Sequence, residues 1–203
     1  EGEPAELCGV VDNGVAACVD GACKVTECVA GFYDIDFEPL NGCECIANSV
    51  EVSGPTCQDS VDLGTIGDGG VTVERQGNAV YEDESDWYTF YGADGPDNGC
   101  DTYHVRVRFL WNPNDAYTFD LHRGSCAAGD QVCVQGKDYS FFTDFNDPAA
   151  NKGECPCADD PFFTSPTVHE CSDNSANYFI RVYRKPDVPP DCQGYALEVT
   201  NGV

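Results

Sequence analysis

Apolar and polar side chains alternate most regularly between residues 101 and 123 of the chain. Residues 103–109 carry tyrosine, valine and phenylalanine at every second position, and residues 117–122 repeat the pattern after the turn-forming segment 112–115. A period of two puts the apolar side chains on one face of a strand and the polar side chains on the other. The pattern therefore predicts two antiparallel strands, each with one buried and one solvated face.

Shorter runs of the same kind recur between glycine- and proline-rich turns, without any sustained helical apolar period. They cover residues 61–66, 71–75, 87–91, 103–109, 117–122, 138–143, 178–184 and 195–200. About eight such strands are typical of an antiparallel jelly-roll-type β-sandwich, so we predict an all-β fold preceded by a small disulfide-rich knot. The expected core consists of Trp87, Val105, Val107, Phe109, Tyr117, Phe119, Leu121, Ile180, Val182, Leu197 and Val199.

The cysteine content points to an oxidising compartment. The 203 residues include 14 cysteines, and an even number suits complete pairing. The sequence starts at Glu1 and has no methionine, so we expect that a signal peptide has been removed and that the protein is secreted or displayed on a cell surface. It has no run of about eighteen apolar residues, so we expect no membrane span.

The charge balance narrows the choice of partners. The chain has 36 acidic and 10 basic residues, a formal net charge of −26. Phosphate backbones would be repelled by such a protein, so nucleic acid is an unsuitable partner. Dense carboxylates serve either as a solvated surface or as oxygen ligands for calcium.

Residues 1–57 have few large apolar side chains, so disulfides rather than a core must hold this module together. Cys43 and Cys45 are expected not to bond to each other, because neighbouring strand positions point to opposite faces. The other pairings stay open at this level. We predict that disulfides are formed by Cys8, Cys18, Cys23, Cys28, Cys43, Cys45, Cys57, Cys100, Cys126, Cys133, Cys155, Cys157, Cys171 and Cys192.

Residues 13–44 resemble a short cysteine-rich repeat of secreted proteins from myxobacteria and their relatives. The matching features are Gly21-Ala22-Cys23, Cys28 followed by Gly31-Phe32, and the closing Asn41-Gly42-Cys43-Glu44. The repeat usually has a further cysteine where this chain has Ile35. The module also resembles an epidermal-growth-factor-like (EGF-like) knot.

Residues 58–203 resemble the bacterial pre-peptidase C-terminal (PPC) domain. The landmarks are the Asp86-Trp87-Tyr88 start, the central YTFDLHRG strand at 117–124 and the closing YALEV strand at 195–199. The resemblance implies a non-catalytic, calcium-tolerant β-sandwich that accompanies secreted enzymes or surface proteins and in some relatives binds collagen or polysaccharide. This chain adds an insertion at about 124–176, whose long polar loop we expect to be held by its own cysteines and Cys192.

Three acidic segments are candidate calcium sites. In the first, side-chain oxygens alternate at Asp34, Asp36, Glu38 and Asn41, and the other two flank the predicted Trp87 strand, where calcium would tie two loop ends together. Ordinary hydrophilic turns are the alternative. The resemblance to the pre-peptidase domain implies calcium among loops like the second and third segments. The candidate ligands are Asp34, Asp36 and Glu38, then Glu82, Asp83 and Asp86, and finally Asp94, Asp97 and Asp101.

Four of the few basic residues fall on two predicted strands: Arg106 and Arg108 on one, Arg181 and Arg184 on the other. They predict a basic stripe that accepts an acidic partner, and residues 1–57, with eleven acidic side chains and one basic one, are a suitable partner in the same or the next copy. Head-to-tail docking between copies would give a polymer. The alternative is cross-strand pairing with Asp120 or Glu198.

Other arrangements give little sign of catalysis. His104 and His122 are expected on outward strand faces, and Ser125 lacks the strand-turn-helix context of a nucleophile. Cys155, Cys157, Cys171 and His169 have no established zinc spacing, so disulfides are preferred. We therefore predict no enzymatic activity.

The favoured hypothesis is an extracellular structural or adhesive protein that self-associates into a filament or surface layer, with calcium as a stabilising ion. The second is a collagen- or polysaccharide-binding accessory domain of a secreted peptidase system, favoured if exposed aromatic residues such as Tyr88, Phe162 and Phe163 line one flat face. The third is a secreted enzyme, which would need a deep pocket containing a histidine or paired carboxylates.

Overall fold

The computed structural model describes residues 8–38, 41–46, 55–80, 84–95, 103–142 and 174–202. Within these residues the chain forms strands joined by turns and short 3-10 helical segments. The strands are β1 (Gly14–Val19), β2 (Ala22–Cys28), β3 (Phe32–Tyr33), β4 (Cys45–Ile46), β5 (Val61–Gly67), β6 (Val71–Gly77), β7 (Ser85–Ala93), β8 (His104–Trp111), β9 (Tyr117–Arg123), β10 (Gln131–Gly136), β11 (Asp138–Phe142), β12 (Ala176–Arg184) and β13 (Tyr195–Asn201).

Two sheets form the sandwich. One has five strands in the order β10-β9-β12-β7-β5, and the other has four in the order β11-β8-β13-β6. Neighbouring strands are antiparallel except β5 and β7, which are parallel. The predicted all-β sandwich is confirmed, with a parallel pair at one edge that the sequence pattern did not indicate.

The core lies between the two sheets and consists of the inward-facing side chains at every second position of each strand. In β12, Tyr178, Ile180 and Val182 are fully buried, and in β8 Val105 and Val107 are. Tyrosines take unusually many core positions and pair their hydroxyls internally. The buried cluster includes Ile66, Tyr88, Phe90, Tyr103, Val105, Val107, Tyr117, Phe119, Leu121, Tyr139, Tyr178, Ile180, Val182, Tyr195, Leu197 and Val199.

The predicted core is wrong at Trp87, and for the same reason Tyr88, whose exposure would have favoured an accessory binding domain, is buried instead. Tyr88 is 1% exposed and hydrogen-bonds Tyr195, whereas Trp87 faces outward and is half-buried. Large rings occur at both parities of residues 86–91, so alternation cannot choose between them. Pairing with β12 decides, because it places Tyr88 opposite Ile180 in the core. Phe109 is partly buried and packs against the core edge.

The two most regular strands do not pair with each other. β8 belongs to the four-stranded sheet and β9 to the five-stranded sheet, so segment 112–115 carries the chain from one sheet to the other. Asn112 closes this crossover by accepting the Tyr117 N–H and donating to the Tyr117 carbonyl, both over 2.9 Å. Alternation predicted where the strands lie but did not determine their partners. The predicted solvated face of β9 is wrong, because Thr118, Asp120 and His122 are buried.

The amino-terminal module consists of two small hairpins, β1-β2 and β3-β4. Disulfides Cys8–Cys23 and Cys28–Cys43 hold it together internally. Two longer-range disulfides, Cys45–Cys192 and Cys57–Cys126, join the segment to the sandwich. Hydrogen bonds from Asn78 to the Ile46 carbonyl and from Tyr33 to Glu84 add to the contact. The acidic module is therefore attached to the sandwich of its own chain.

These pairings correct two expectations and confirm one. Cys43 and Cys45 have separate partners, as predicted. Cys192, expected to hold the insertion, bonds Cys45 instead, and Cys18 is an exposed free thiol rather than part of a disulfide. Cys133 is disulfide-bonded. The remaining predicted disulfide residues, Cys100, Cys155, Cys157 and Cys171, lie outside the described residues.

The first part of the predicted insertion is integrated into the sandwich. β10, which the sequence pattern missed, is the edge strand next to β9, and β11 is the edge strand next to β8. Register shifts interrupt the pairing of β10 with β9, which explains why its sequence shows no clean alternation. The later segment 143–173 lies outside the described residues.

Candidate functional site

Five large side chains on the outer surface of the five-stranded sheet form what we call the aromatic face: Trp87 and Tyr91 on β7, and Phe179, Arg181 and Tyr183 on β12. The residues that alternate with them are buried in the core. Since successive strand side chains point to opposite faces, these five point away from it. On β12 Phe179, Arg181 and Tyr183 follow one another on this face, and on β7 Thr89 lies between Trp87 and Tyr91.

The strand register brings this surface together. Trp87 pairs with Arg181, and Arg181 pairs on its other side with Asp120 of β9. The Trp87 ring extends across β12, because its centroid lies 6.0 Å from that of His122 on β9. Tyr91 is 41% exposed, and the other four members of the aromatic face are half-buried. The large, partly exposed rings make this surface a candidate recognition site.

Arg181 lies at the centre of the aromatic face. The central carbon of its guanidinium lies 4.8 Å from the centroid of the Tyr183 ring, the distance of a cation–π contact. Tyr183 in turn donates its hydroxyl to Asp120 Oδ1 over 3.1 Å. Burial and the neighbouring Asp120 carboxylate raise the pKa of Tyr183 to about 12. Tyr183 therefore stays a neutral donor, and its ring holds the arginine in a defined position.

The two histidines on strands were expected on outward, exposed positions, and both are buried. His122 is 7% exposed, packs against Trp87, and has Nδ1 3.2 Å from the Ala127 carbonyl. His104 is 8% exposed at the start of β8. Burial, together with the nearby Arg106 guanidinium, lowers the pKa of His104 to about 4, so it is neutral at physiological pH. The alternation along the strands predicted the correct sheet face for both histidines. It did not indicate that other residues bury them there.

The four predicted partner-binding arginines do not form one stripe. Arg106 pairs with Asp138, and Arg108 with Glu198, on the outer face of the four-stranded sheet. Arg181 lies on the opposite side of the sandwich, in the other sheet. Arg184, from the same strand as Arg181, is 1% exposed. The cross-strand alternative is therefore correct for Arg108 with Glu198, while Asp120 accepts hydrogen bonds from other residues.

The buried Arg184 guanidinium contacts several parts of the fold. Its Nε donates to the Ala79 carbonyl over 3.1 Å, and Nη2 pairs with Asp191 Oδ1 over 2.9 Å. The guanidinium also lies 5.0 Å above the Tyr117 ring and donates to the Pro189 carbonyl. These contacts tie the segment between β12 and β13 to the end of the sandwich, next to the Cys45–Cys192 disulfide.

An acidic triad in the amino-terminal module could hold a metal ion. Carboxylate oxygens of Asp34, Asp36 and Glu44 all lie within 4.8 Å of one another. The sequence predicted the first two residues but proposed Glu38 instead of Glu44. Glu38 contributes its backbone N–H to Asp36 Oδ1 over 2.9 Å, and its side chain is not part of the group.

Local hydrogen bonds order the triad. Asp34 accepts from the Phe37 N–H, Asp36 from Glu38 and Asn41, and Glu44 from Ile35. The Glu38 amide is the main cause of a lowered pKa at Asp36, so this carboxyl is ionised at neutral pH. Oxygen ligands of this kind suit a hard cation. Glu44 was missed because the pairing of β3 with β4, which sets Tyr33 opposite Cys45, brings it back to residues 34–36.

The other predicted calcium ligands are dispersed or outside the described residues. Asp86 is 2% exposed within β7 and accepts the Tyr195 hydroxyl over 2.7 Å, so it is part of the core. Asp94 accepts the Asn174 N–H over 2.6 Å and links the ends of two strands. Glu82, Asp83, Asp97 and Asp101, together with Phe162 and Phe163, lie outside the described residues.

Comparison of the chain with protein-family models finds no match. Comparison with curated proteins also finds no match. The resemblances to the pre-peptidase domain and to the cysteine-rich repeat therefore remain predictions. Among the described residues, no helix is long and apolar enough to cross a membrane.

Proposed function

We propose that the protein is a non-catalytic, extracellular module that binds polysaccharide through the aromatic face. The observation that carries this proposal is the placement of Trp87, Tyr91, Phe179 and Tyr183 on one outer sheet surface. Sugar rings present apolar C–H faces that stack on aromatic rings, while their hydroxyls need polar partners nearby. Arg181 and the exposed Asn177 supply such partners within the same surface.

The four disulfides between described residues support the extracellular part of the proposal, because disulfides persist in oxidising compartments. Two of them, Cys45–Cys192 and Cys57–Cys126, also join the small module, which has little core of its own, to the sandwich. A rigid sheet is a suitable base for binding, since the rings are held in place before the ligand arrives.

Self-association, the function favoured by the sequence, has less support. Its predicted contact needed four exposed arginines in one stripe, but Arg106 and Arg108 are ion-paired and Arg184 is buried. Its acidic partner, the amino-terminal module, is attached by Cys45–Cys192 to its own chain. Polysaccharide binding needs neither contact.

We further propose that the ion at the acidic triad is calcium and that it stabilises the loop between β3 and β4. The expected result is a higher thermal midpoint in calcium than in chelator, with the difference lost in Asp36→Asn. Asp62→Asn is a matched control, since Asp62 is an exposed carboxylate on β5 outside the triad. Equal midpoints in calcium and chelator would contradict calcium binding at this site.

Polysaccharide binding is tested by affinity electrophoresis and calorimetry against soluble xyloglucan, mannan, pectate and alginate, with collagen as a separate arm. Trp87→Ala should weaken binding to the bound polysaccharide at least tenfold, because the central ring is lost. Trp111→Ala is the matched control, since Trp111 is 59% exposed at the end of β8 in the other sheet. Trp87→Phe keeps a ring and should retain most of the affinity.

Binding to none of these polysaccharides, or equal losses in Trp87→Ala and Trp111→Ala, would contradict the proposal. Binding to collagen alone would favour the other accessory role predicted from the sequence. Thermal unfolding of each variant separates loss of the surface from loss of the fold.

A further inference from the structure

We infer that the aromatic face selects glycans that carry a carboxylate, such as those containing hexuronic acid, and that Arg181 is the residue responsible. This inference rests on the proposed polysaccharide binding and names the class of sugar. It starts from the difference between Arg181 and three other arginines of the sandwich, Arg106, Arg108 and Arg184.

The guanidinium of Arg181 has no protein acceptor among the described residues. Its one contact there is with the Tyr183 ring. By contrast, Arg106, Arg108 and Arg184 each pair with a carboxylate. In a chain with 36 acidic residues, a half-buried cation that has no ion pair among the described residues is unusual, and those residues leave its donors available to a ligand.

Asp120, the nearest candidate partner in the strand register, does not neutralise Arg181. Its Oδ1 accepts the Tyr183 hydroxyl over 3.1 Å and the Gln135 N–H over 3.0 Å, and no ion pair joins it to Arg181. Asp120 is 7% exposed. Within the described part of the chain, the arginine therefore has no carboxylate in contact and can receive that of a ligand on the aromatic face.

The local chemistry suits a sugar carboxylate. A guanidinium presents a planar fork of donors that matches a carboxylate in a two-point contact. The Tyr183 ring orients that fork, and Trp87, directly opposite Arg181 in the register, supplies a ring for the pyranose of the same sugar. Neutral sugars would use the rings without the ionic contact, so they should bind more weakly.

The net charge of −26 predicts how the affinity for an acidic glycan depends on salt concentration. Charges on the rest of the protein repel a polyanion at low ionic strength, but they are screened beyond about 8 Å at physiological salt. The contact between Arg181 and a carboxylate is short-range and is screened much less. Affinity for an acidic glycan should therefore pass through a maximum at moderate salt instead of falling steadily.

The test compares trigalacturonate and trimannuronate with their methyl esters, which keep the sugar rings and remove the charge. Calorimetry on the full chain should give at least tenfold tighter binding of one free acid than of its ester. Arg181→Gln should reduce affinity for the acid to that for the ester and leave the ester unchanged, while Arg181→Lys should recover part of it. Arg108→Gln, which removes an ion-paired arginine of the other sheet, is the control and should leave the tenfold preference intact.

Equal binding of acid and ester by the wild-type protein, with both lost in Trp87→Ala, would overturn the role of Arg181 and leave polysaccharide binding in place. Binding of neither acid nor ester would overturn the inference. The proposed function would fail as well if xyloglucan and mannan also do not bind. Loss of the preference in Arg108→Gln as well as in Arg181→Gln would assign it to overall charge instead of to the aromatic face. Unfolding midpoints measured in parallel ensure that each variant is compared in its folded state.

Discussion

The two outer faces of the sandwich use arginine in opposite ways. On the four-stranded sheet, Arg106 and Arg108 are paired with Asp138 and Glu198, so that face is closed by its own charges. On the five-stranded sheet, Arg181 is surrounded by rings and has no ion pair among the described residues. Ion pairs satisfy a surface internally, whereas rings and an unpaired cation leave interactions for a partner. The difference separates a structural face from a candidate recognition face.

A third arrangement occurs within a single strand. Arg181 and Arg184 are three residues apart on β12, yet Arg181 is half-buried on the sheet surface and Arg184 is 1% exposed. An odd separation along a strand places them on opposite faces. Removing these two arginines one at a time should therefore have very different consequences for stability.

The largest effect is expected for Arg184→Gln. The change leaves the acceptors at Ala79, Pro189 and Asp191 without their donor and removes a buried charge from its partner. Breaking a buried pair on one side costs about 3–5 kcal/mol of unfolding free energy. Urea denaturation measures this loss of unfolding free energy, with Arg181→Gln as the matched control in the same strand. Similar losses in both variants would show that the two positions do not differ as the structure indicates.

A pH-dependent effect of intermediate size is expected at His104, beneath the ion-paired face. Its pKa is about 4 when folded and about 6.5 when unfolded, so the unfolded state binds the extra proton between these values. The stabilisation is fully present above pH 6.5 and is lost as the pH falls towards 4, by up to about 3 kcal/mol. In His104→Gln the stability curve should lose this slope. If the unfolding free energy of the variant keeps the same dependence on pH, that dependence comes from the carboxyl groups instead.

The smallest effect is expected for the ion pairs themselves. Arg106→Ala and Arg108→Ala should each reduce the free energy of unfolding by less than about 1 kcal/mol, because both pairs are partly exposed to water. Polysaccharide affinity should not change, since these residues lie on the other sheet. A loss of affinity in either variant would place the binding surface on the ion-paired face of the four-stranded sheet instead of on the aromatic face.

The same contrast explains how far the candidate site could be predicted. Asp34 and Asp36 were accessible from sequence because their ligand atoms belong to one local loop. Glu44 depends on the pairing of β3 with β4, and the aromatic face depends on the lateral order β9-β12-β7. Neither the choice of strand partners nor the strand order follows from a period of two. Phe179 and Tyr183 nevertheless left a signal, since they alternate with the buried Tyr178, Ile180 and Val182 along β12.

The sequence by itself determined the fold class, the positions of most strands, the need for disulfides and the excess of negative charge, because each follows from local alternation or from composition. Tertiary structure decided which parity of β7 is buried, which cysteines meet, and which arginines are paired, buried or available. Those outcomes depend on contacts between residues far apart in the chain, such as Arg108 with Glu198 and Cys45 with Cys192. The alternation along a strand shows which face of the sheet a side chain is on. Which residues it contacts there depends on the neighbouring strands and on the other sheet.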